Sequence, residues 1–431
     1  MPRLVLVSVD GFAGFYWTDP KARMPTLRAL AARGVVAPQM ATVFPSTTWP
    51  THVSLVTGVS PVRHGVIGNS ILDRRTGRRE DLTGDPVYDA ATLLRAPTIY
   101  DLAHAAGRST AAIDWPATRH AASLDFNLPF FKSQAVFEQH TSPVVWAELA
   151  GLGFPMDRQG AWAELPRRFL KDRMVAEVAA HVLHRHASDL LLVHFLCVDS
   201  FQHLFGPRSP EAYWAIGYVD ALIGEVLGAL PASALDRDTT VAVVSDHGFL
   251  PVERDVRVNV RLRQLGLQDA DTNATAARAR ARLVMNHGAG WVYVEPGSDR
   301  DRMVPQLATE LGKLEGVAHV WTEESFAALG LPGPDQHPHA GDLLLEAQPG
   351  YCFADEAGGD EVIVAPRYRG SHGHRPAHPD NAAFFLASGP GLAHGRELAP
   401  IESRDVAPTL AHLLGLAIPD AEGRLLSAGL R

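Results

Sequence analysis

Three separate stretches of this chain read as buried strands, and each runs into an aspartate. Residues 4–9 (LVLVSV) are apolar and β-branched-rich, with no polar alternation, and stop at Asp10-Gly11. Residues 190–198 (LLLVHFLCV) stop at Asp199, and residues 239–244 (TTVAVV) run into Ser245-Asp246-His247-Gly248. Uninterrupted apolar runs of this length fit strands covered on both faces, as in parallel sheets layered between helices. In such open sheets, ligand sites form beyond the carboxyl ends of the strands. The pattern predicts an α/β fold with a mostly parallel central sheet flanked by helices. Asp10, Asp199 and Asp246 should gather along one edge of it.

Helical periodicity at residues 25–33, 97–106, 167–186, 210–230 and 406–413 supplies the flanking layers, and residues 109–113 and 383–387 read as further strands. Residues 70–95 read as polar surface loop, and residues 117–165 as an irregular aromatic segment suited to pocket walls. Beyond residue 250 the character changes. An Ala/Arg-rich helical stretch at 271–282 precedes a strand at 290–294, a helix at 299–314 and a strand at 317–321. The expected organisation is a catalytic core in two parts, residues 1–250 and 366–431, with a smaller α+β cap inserted at 251–365.

The chemistry-bearing residues cluster around these strand ends. His203 follows Asp199 by four residues, close enough for both to face one ion across a turn of helix. His247 adjoins Asp246, a compact pair of metal donors. His372 lies between glycines in Gly370-Ser371-His372-Gly373-His374, with His374 and His378 as rivals. Thr48 opens a short helical pattern, with Pro50 in its first turn and Gly58 at its end. A hydroxyl at a helix start faces free N–H groups that favour an alkoxide or a phosphate. On its own stretch Thr48 reads first as an ordinary cap; the Asp and His residues farther along favour the chemical role. Asn69 serves either a turn or a phosphoryl oxygen. Mixed Asp/His donors suit zinc or manganese better than magnesium or calcium, and their number fits two ions.

Composition narrows the partners. The formal net charge of the 431 residues is −9, which argues against a nucleic-acid polymer as partner. A small phosphorylated substrate held by metal remains open. No stretch approaches the ~20 apolar residues of a membrane span, no signal-peptide pattern precedes Asp10, and Cys197 and Cys352 form no disulfide framework. The expected location is cytoplasmic.

In order, these motifs resemble the alkaline phosphatase superfamily, and within it the nucleotide pyrophosphatase/phosphodiesterase family. Thr48-Trp49-Pro50-Thr51-His52 is similar to the Thr-Phe-Pro-Asn-His nucleophile motif, with Thr51 departing from it. Asp114-Trp115-Pro116, DSFQHLFGP, SDHG, GSHGH and the closing LASGPG…DVAPTLAHLLG follow in step. The resemblance implies a phosphodiesterase with Thr48 as nucleophile and Asn69 bonding a phosphoryl oxygen. One divalent ion would be held by Asp10, Thr48, Asp246 and His247, and a second by Asp199, His203 and His372, with zinc first and manganese second. A phosphothreonine intermediate would form and be hydrolysed. Phosphonoacetate hydrolase-like C–P cleavage and phosphomonoester hydrolysis are the alternatives in the same superfamily. No Arg or Lys beside Thr48 or Asn69 reads as aimed inward, Arg63 lying in an exposed turn; a diester with its single negative charge therefore fits best.

Overall fold

A computed structural model describes residues 1–270, 279–297 and 299–431. Its central sheet has nine strands. The order runs Arg396–Glu397, Gly34–Ala41, Ala383–Ser388, Thr239–Val244, Arg3–Val9, Leu190–Phe195, Thr110–Ile113, Phe126–Leu128, and Ile401–Glu402 also pairs with Gly34–Ala41. Only Ala383–Ser388 runs against its two neighbours; every other pairing is parallel.

The alternation of side chains along these strands explains the uninterrupted apolar runs. Val5, Val7, Val193 and Val243 enter one core with the helices Pro25–Ala32, Arg168–Arg185 and Pro210–Gly228. Leu4, Leu6, Leu192 and Ala242 enter the other with Thr48–Thr57, Ile99–Ala105 and Val406–Leu413. Burying each such Val or Leu is worth about 1.5–3 kcal/mol, and a one-residue slip would exchange the faces of a whole strand. Register is thereby pinned, with Val9 opposite Phe195 and Ser8 opposite Val244. The three strands end side by side.

Several expectations need correction. The strand expected to reach Val198 stops at Phe195, and the chain turns into the helix Cys197–Phe205. Asp199 therefore sits in a helix's first turn and not at a strand's end, with His203 one turn on. The cause is remote: the buried carboxylate of Asp172 accepts from the N–H groups of Leu196 at 2.9 Å and Cys197 at 2.8 Å, drawing them out of the sheet. Thr48 is the first helical residue, and Thr47 occupies the cap position in extended conformation; Gly58 closes the helix at a φ of 71° as expected. Residues 70–95 contain an antiparallel hairpin, Ser70–Asp73 with Arg78–Asp81, turned by Asp73 accepting from Arg75 N at 2.9 Å. Residues 117–165 contain the edge strand Phe126–Leu128 and the helices Gln134–His140 and Pro143–Gly151. The Ala/Arg-rich helix expected at 271–282 lies outside the described residues over 271–278, and its last two residues, Ala281 and Arg282, begin the strand Ala281–Asn286.

A second sheet of four antiparallel strands runs Ala281–Asn286, Ala289–Val294, Leu343–Ala347, Val317–Thr322, covered by the helix Arg300–Leu311 through Met303, Leu307 and Leu311. Leu343–Ala347 had no strand signature in its Pro/Gly-rich surroundings, yet it is central here. Between the sheets, Leu250–Val256 pairs with Gly350–Phe353, Ile363–Val364 and Gly370–Ser371. Among the described residues no helix is long and apolar enough to cross a membrane.

Candidate active site

At the carboxyl edge of the central sheet the seven metal-donor residues expected from sequence converge. Asp10 directly follows the strand Arg3–Val9, and Asp246 and His247 follow Thr239–Val244 across one residue. His247 Nε2 lies 3.3 Å from Asp10 Oδ1 and 3.2 Å from Asp246 Oδ2. Asp199 Oδ1 lies 3.2 Å from His203 Nε2 and 3.9 Å from His372 Nε2. The rings of His247 and His372 stack with centroids 3.5 Å apart, so the two groups abut. Thr48 lines the same cavity as Asp10, Asn69, Asp199, His203 and His372. Of the rival histidines, His378 accepts from Asp380 N and His374 packs against Gly288. Neither belongs to the group.

The imidazole tautomers follow from backbone partners. Nδ1 of His203 donates to Gly370 O at 2.9 Å, that of His247 to Gly248 O at 3.1 Å, and that of His372 to Ser46 O at 3.1 Å. A carbonyl can only accept, so each Nδ1 carries the proton and each Nε2 presents a lone pair to the cluster. On the carboxylate side, Asp246 Oδ1 is occupied by the N–H groups of Gly11 and His247 at 3.0 and 3.1 Å. What is left over is informative. Asp10 Oδ1, Asp199 Oδ1, Asp246 Oδ2 and His247 Nε2 are all buried without a hydrogen-bond partner. Four orphaned acceptors facing one another are costly unless a cation satisfies them. The donor set thus fits divalent metal.

Charge crowding points the same way. Burial, then Asp246 and Asp199, push the Asp10 carboxyl well above its usual range. Burial also raises Asp199, but His203, His247 and Arg168 outweigh it and hold that carboxyl low. Burial keeps the His372 imidazole neutral far below its ordinary value. A bound cation would relieve the mutual repulsion of these buried carboxylates, and the neutral His372 ring leaves a lone pair free to coordinate.

Asn69 is fixed as a donor. Its Oδ1 accepts from Trp49 N at 2.8 Å, which leaves Nδ2 directed at Thr48 Oγ1, 3.5 Å away. Its backbone is held in turn by a residue that sequence reasoning missed. Asn286 Oδ1 accepts from Asn69 N at 2.6 Å and Ser70 N at 3.1 Å, and Asn286 Nδ2 donates to Ser70 O at 2.9 Å. The amide comes so close that a Cβ at Gly68 would stand 2.6 Å from Asn286 Oδ1. His52 holds the other flank: its Nδ1 donates to Thr48 O and its Nε2 accepts from Ser8 Oγ, both at 2.8 Å.

The cavity in front of these residues measures about 610 Å³. Its walls include Trp115, Phe130 and Phe131, which come from the segments following two strands of the sheet. By sequence His194 is only one residue of an apolar strand; its Nε2 lies 3.2 Å from Asp10 Oδ2, and it is buried. The expectation that no cation faces inward also fails. Arg168, first residue of the helix Arg168–Arg185, lines the cavity with a guanidinium nitrogen 3.7 Å from Asp199 Oδ2. Behind it Lys171 pairs with Asp114 at 2.8 Å, both fully buried. Arg63 points away, to Asp420 O. The aspartate before Trp115-Pro116 and the Arg/Lys spacing of three at the start of a helix were visible signals, but nothing local joins them.

Residues 4–375 match the family model described as type I phosphodiesterase / nucleotide pyrophosphatase. An uncharacterized pyrophosphatase/phosphodiesterase of Schizosaccharomyces pombe is 25% identical over 96% of this chain and 77% of its own length. The bovine bis(5'-adenosyl)-triphosphatase ENPP4 is 22% identical over 96% of the chain and 78% of its own. Among solved structures, murine ENPP5 aligns over 100% of both chains with a TM-score of 0.74 and 21% identity. An inactive threonine-to-alanine variant of that protein in complex with AMP gives 0.75 at the same identity and coverage.

Proposed function

The chain belongs to the type I phosphodiesterase / nucleotide pyrophosphatase family, and from that premise we propose a two-metal phosphodiesterase that works through a phosphothreonine on Thr48. The observation that carries this reading is the set of orphaned buried acceptors on Asp10, Asp199, Asp246 and His247 beside a hydroxyl at a helix start. The first ion is assigned to Asp10, Thr48, Asp246 and His247, the second to Asp199, His203 and His372, with zinc preferred over manganese for this oxygen and nitrogen donor set. The substrate is a small nucleotide-like phosphodiester or pyrophosphate. Support by likeness comes from the AMP bound by the murine ENPP5 variant and from its inactivity after loss of a threonine. Residues 251–365 act as an inserted cap over the core.

Divalent ions in this donor set supply the positive charge that favours the alkoxide and offsets charge developing on the leaving oxygen. The protein does the rest. Thr48 Oγ1 bonds to phosphorus as the leaving alkoxide departs, and water then cleaves the phosphothreonine to release the monoester. Asn69 Nδ2, held by the Trp49 amide, donates to a non-bridging oxygen. The Thr48 backbone is fixed by His52. Trp115 and Phe130 exclude water from the cavity and offer flat surfaces to a base.

A second reading, hydrolysis of phosphomonoesters or phosphonoacetate, draws on Arg168. The three carboxylates and a Thr48 alkoxide balance two divalent ions, so Arg168 contributes an extra positive charge where a dianion would sit. One panel decides between the readings: a diester and a monoester sharing one leaving group, with phosphonoacetate, on wild type and Thr48→Ala. The diesterase reading requires the highest kcat/KM for the diester and its loss in the variant at unchanged metal content. A tenfold monoester advantage, or full diester turnover by Thr48→Ala, overturns it.

A further inference from the structure

One imidazole in the catalytic cavity has no part in the reading above. His287 and Gly288 form the two-residue turn between Ala281–Asn286 and Ala289–Val294. His287 has a φ of 61°, a region that such turns fill with Gly, Asn or Asp and that disfavours a bulky side chain. Glycine stands second because a Cβ at 288 would meet the His374 ring at 2.4 Å. Sterics therefore explain Gly288, while nothing in the turn itself calls for an imidazole at 287. Strain of this kind collects at functional positions.

The surroundings supply a use. His287 lines the cavity, and its Nδ1 is buried without a hydrogen-bond partner. Its ring stacks on His203 with centroids 5.0 Å apart and an interplanar angle of 26°, and it lies 4.2 Å from His372. One ring nitrogen from each of His203, His287 and His372 falls within a 4.8 Å span. The position is tied on both sides: Gly288 N donates to His372 O at 2.7 Å, and Phe353 N donates to His287 O at 3.0 Å. We infer that His287 is a further donor to the ion assigned to Asp199, His203 and His372, so that the inserted unit completes a metal shell begun by the core.

This inference rests on the two-ion site proposed above but not on its activity, and metal binding tests it. Metal-free protein is titrated with Zn²⁺ against a competing chelator and with Co²⁺ by visible absorption. His287→Asn tolerates the left-handed backbone, and His287→Gly is the second variant should the first fold poorly; the melting point of the metal-free protein checks both. The expected result is two ions in wild type and, in the variants, at least tenfold weaker binding of one ion with an altered Co²⁺ spectrum. Unchanged affinities and spectra, or equal weakening of both ions, overturn it. A wild-type chain that binds two ions without hydrolysing diesters sinks the functional reading alone, whereas one that binds none sinks both.

Discussion

Gly68→Ala tests, at its tightest point, the hydrogen-bond fork that the Asn286 amide makes to residues 69 and 70. The added methyl would stand 2.6 Å from Asn286 Oδ1 and 3.0 Å from both its Cγ and Nδ2, so the amide must retreat. Three hydrogen bonds depend on it, to Asn69 N, Ser70 N and Ser70 O. Each buried group left unsatisfied costs about 1–3 kcal/mol, less where water or a shifted backbone compensates. A loss of about 2–4 kcal/mol in unfolding free energy follows for Gly68→Ala, and a similar loss for Asn286→Ala, which removes the same fork. The two changes share one cause, so the double variant should cost scarcely more than the worse single one, leaving a coupling of about 2 kcal/mol or more. Urea unfolding of the four proteins measures this. Because Asn69 moves with its backbone, kcat on a diester should also fall in each single variant, by up to ~100-fold for a displacement near 1 Å. Additivity within about 0.5 kcal/mol would mean that the fork is not the shared element, and the reasoning fails.

Removal of divalent metal should lower the melting point and abolish diester hydrolysis, both restored by zinc or manganese; an unchanged melting curve after exhaustive chelation refutes the cation account of the orphaned acceptors. His64 is fully buried, with Nδ1 accepting from Val66 N and Nε2 donating to Ser54 Oγ, and burial holds it down to about 3. The unfolded chain takes up a proton near pH 6.5 that the folded chain refuses, so this group's contribution is complete above pH 6.5 and drains away as pH falls toward 3. One unit below 6.5 the loss is about 1.4 kcal/mol. A His64→Asn variant with the same pH slope of stability as wild type contradicts this. Lys171→Met leaves Asp114 buried alone and should cost about 3–5 kcal/mol; equilibrium unfolding showing under 1 kcal/mol refutes the pairing as a stabilising contact. Arg168→Ala should lower kcat/KM for a phosphomonoester at least tenfold more than for the matching diester, and equal losses would place its charge elsewhere.

The sheet and most of the donor set were readable because the physics there is local. Apolar residues 4–9 and 239–244 need cover on both faces, and an aspartate one or two residues behind each has only the sheet's edge to occupy. The same rule overshot at Asp199, because Leu196 and Cys197 are as apolar as their neighbours and only Asp172, far back in the chain, diverts them into a helix. Arg78 to Asp81 carry charge at every position, so their hairpin partner Ser70–Asp73 could not be inferred from alternation. Arg168 reaches the cavity, and Lys171 reaches Asp114 at its wall, through the docking of their helix on the sheet, a tertiary fact. Asn286 and His287 were out of reach in another way. A turn flanked by RLVM and WVYV signals a hairpin, but nothing in the string says which loop of another unit the hairpin will meet.

The turn at 286–288 also limits how this protein can be recombined. Asn286 bonds residues 69 and 70 and Gly288 bonds His372, so residues 251–365 are not a module that can be exchanged at their two sequence ends. A chimera that takes residues 251–365 from a relative would inherit a foreign turn against native loops. Val284, Trp291, Phe326 and Leu344 share one core with Phe44, Trp49, Val53 and Ile67, so such a chimera should lose stability as well as activity unless residues 68–70, 372–374 and the native side of that core are matched to it. The contacting segments 68–70, 286–288 and 372–374, far apart in the chain, are constrained to change together, while Cys352, Phe353 and Asp355 line the cavity and can alter substrate preference directly.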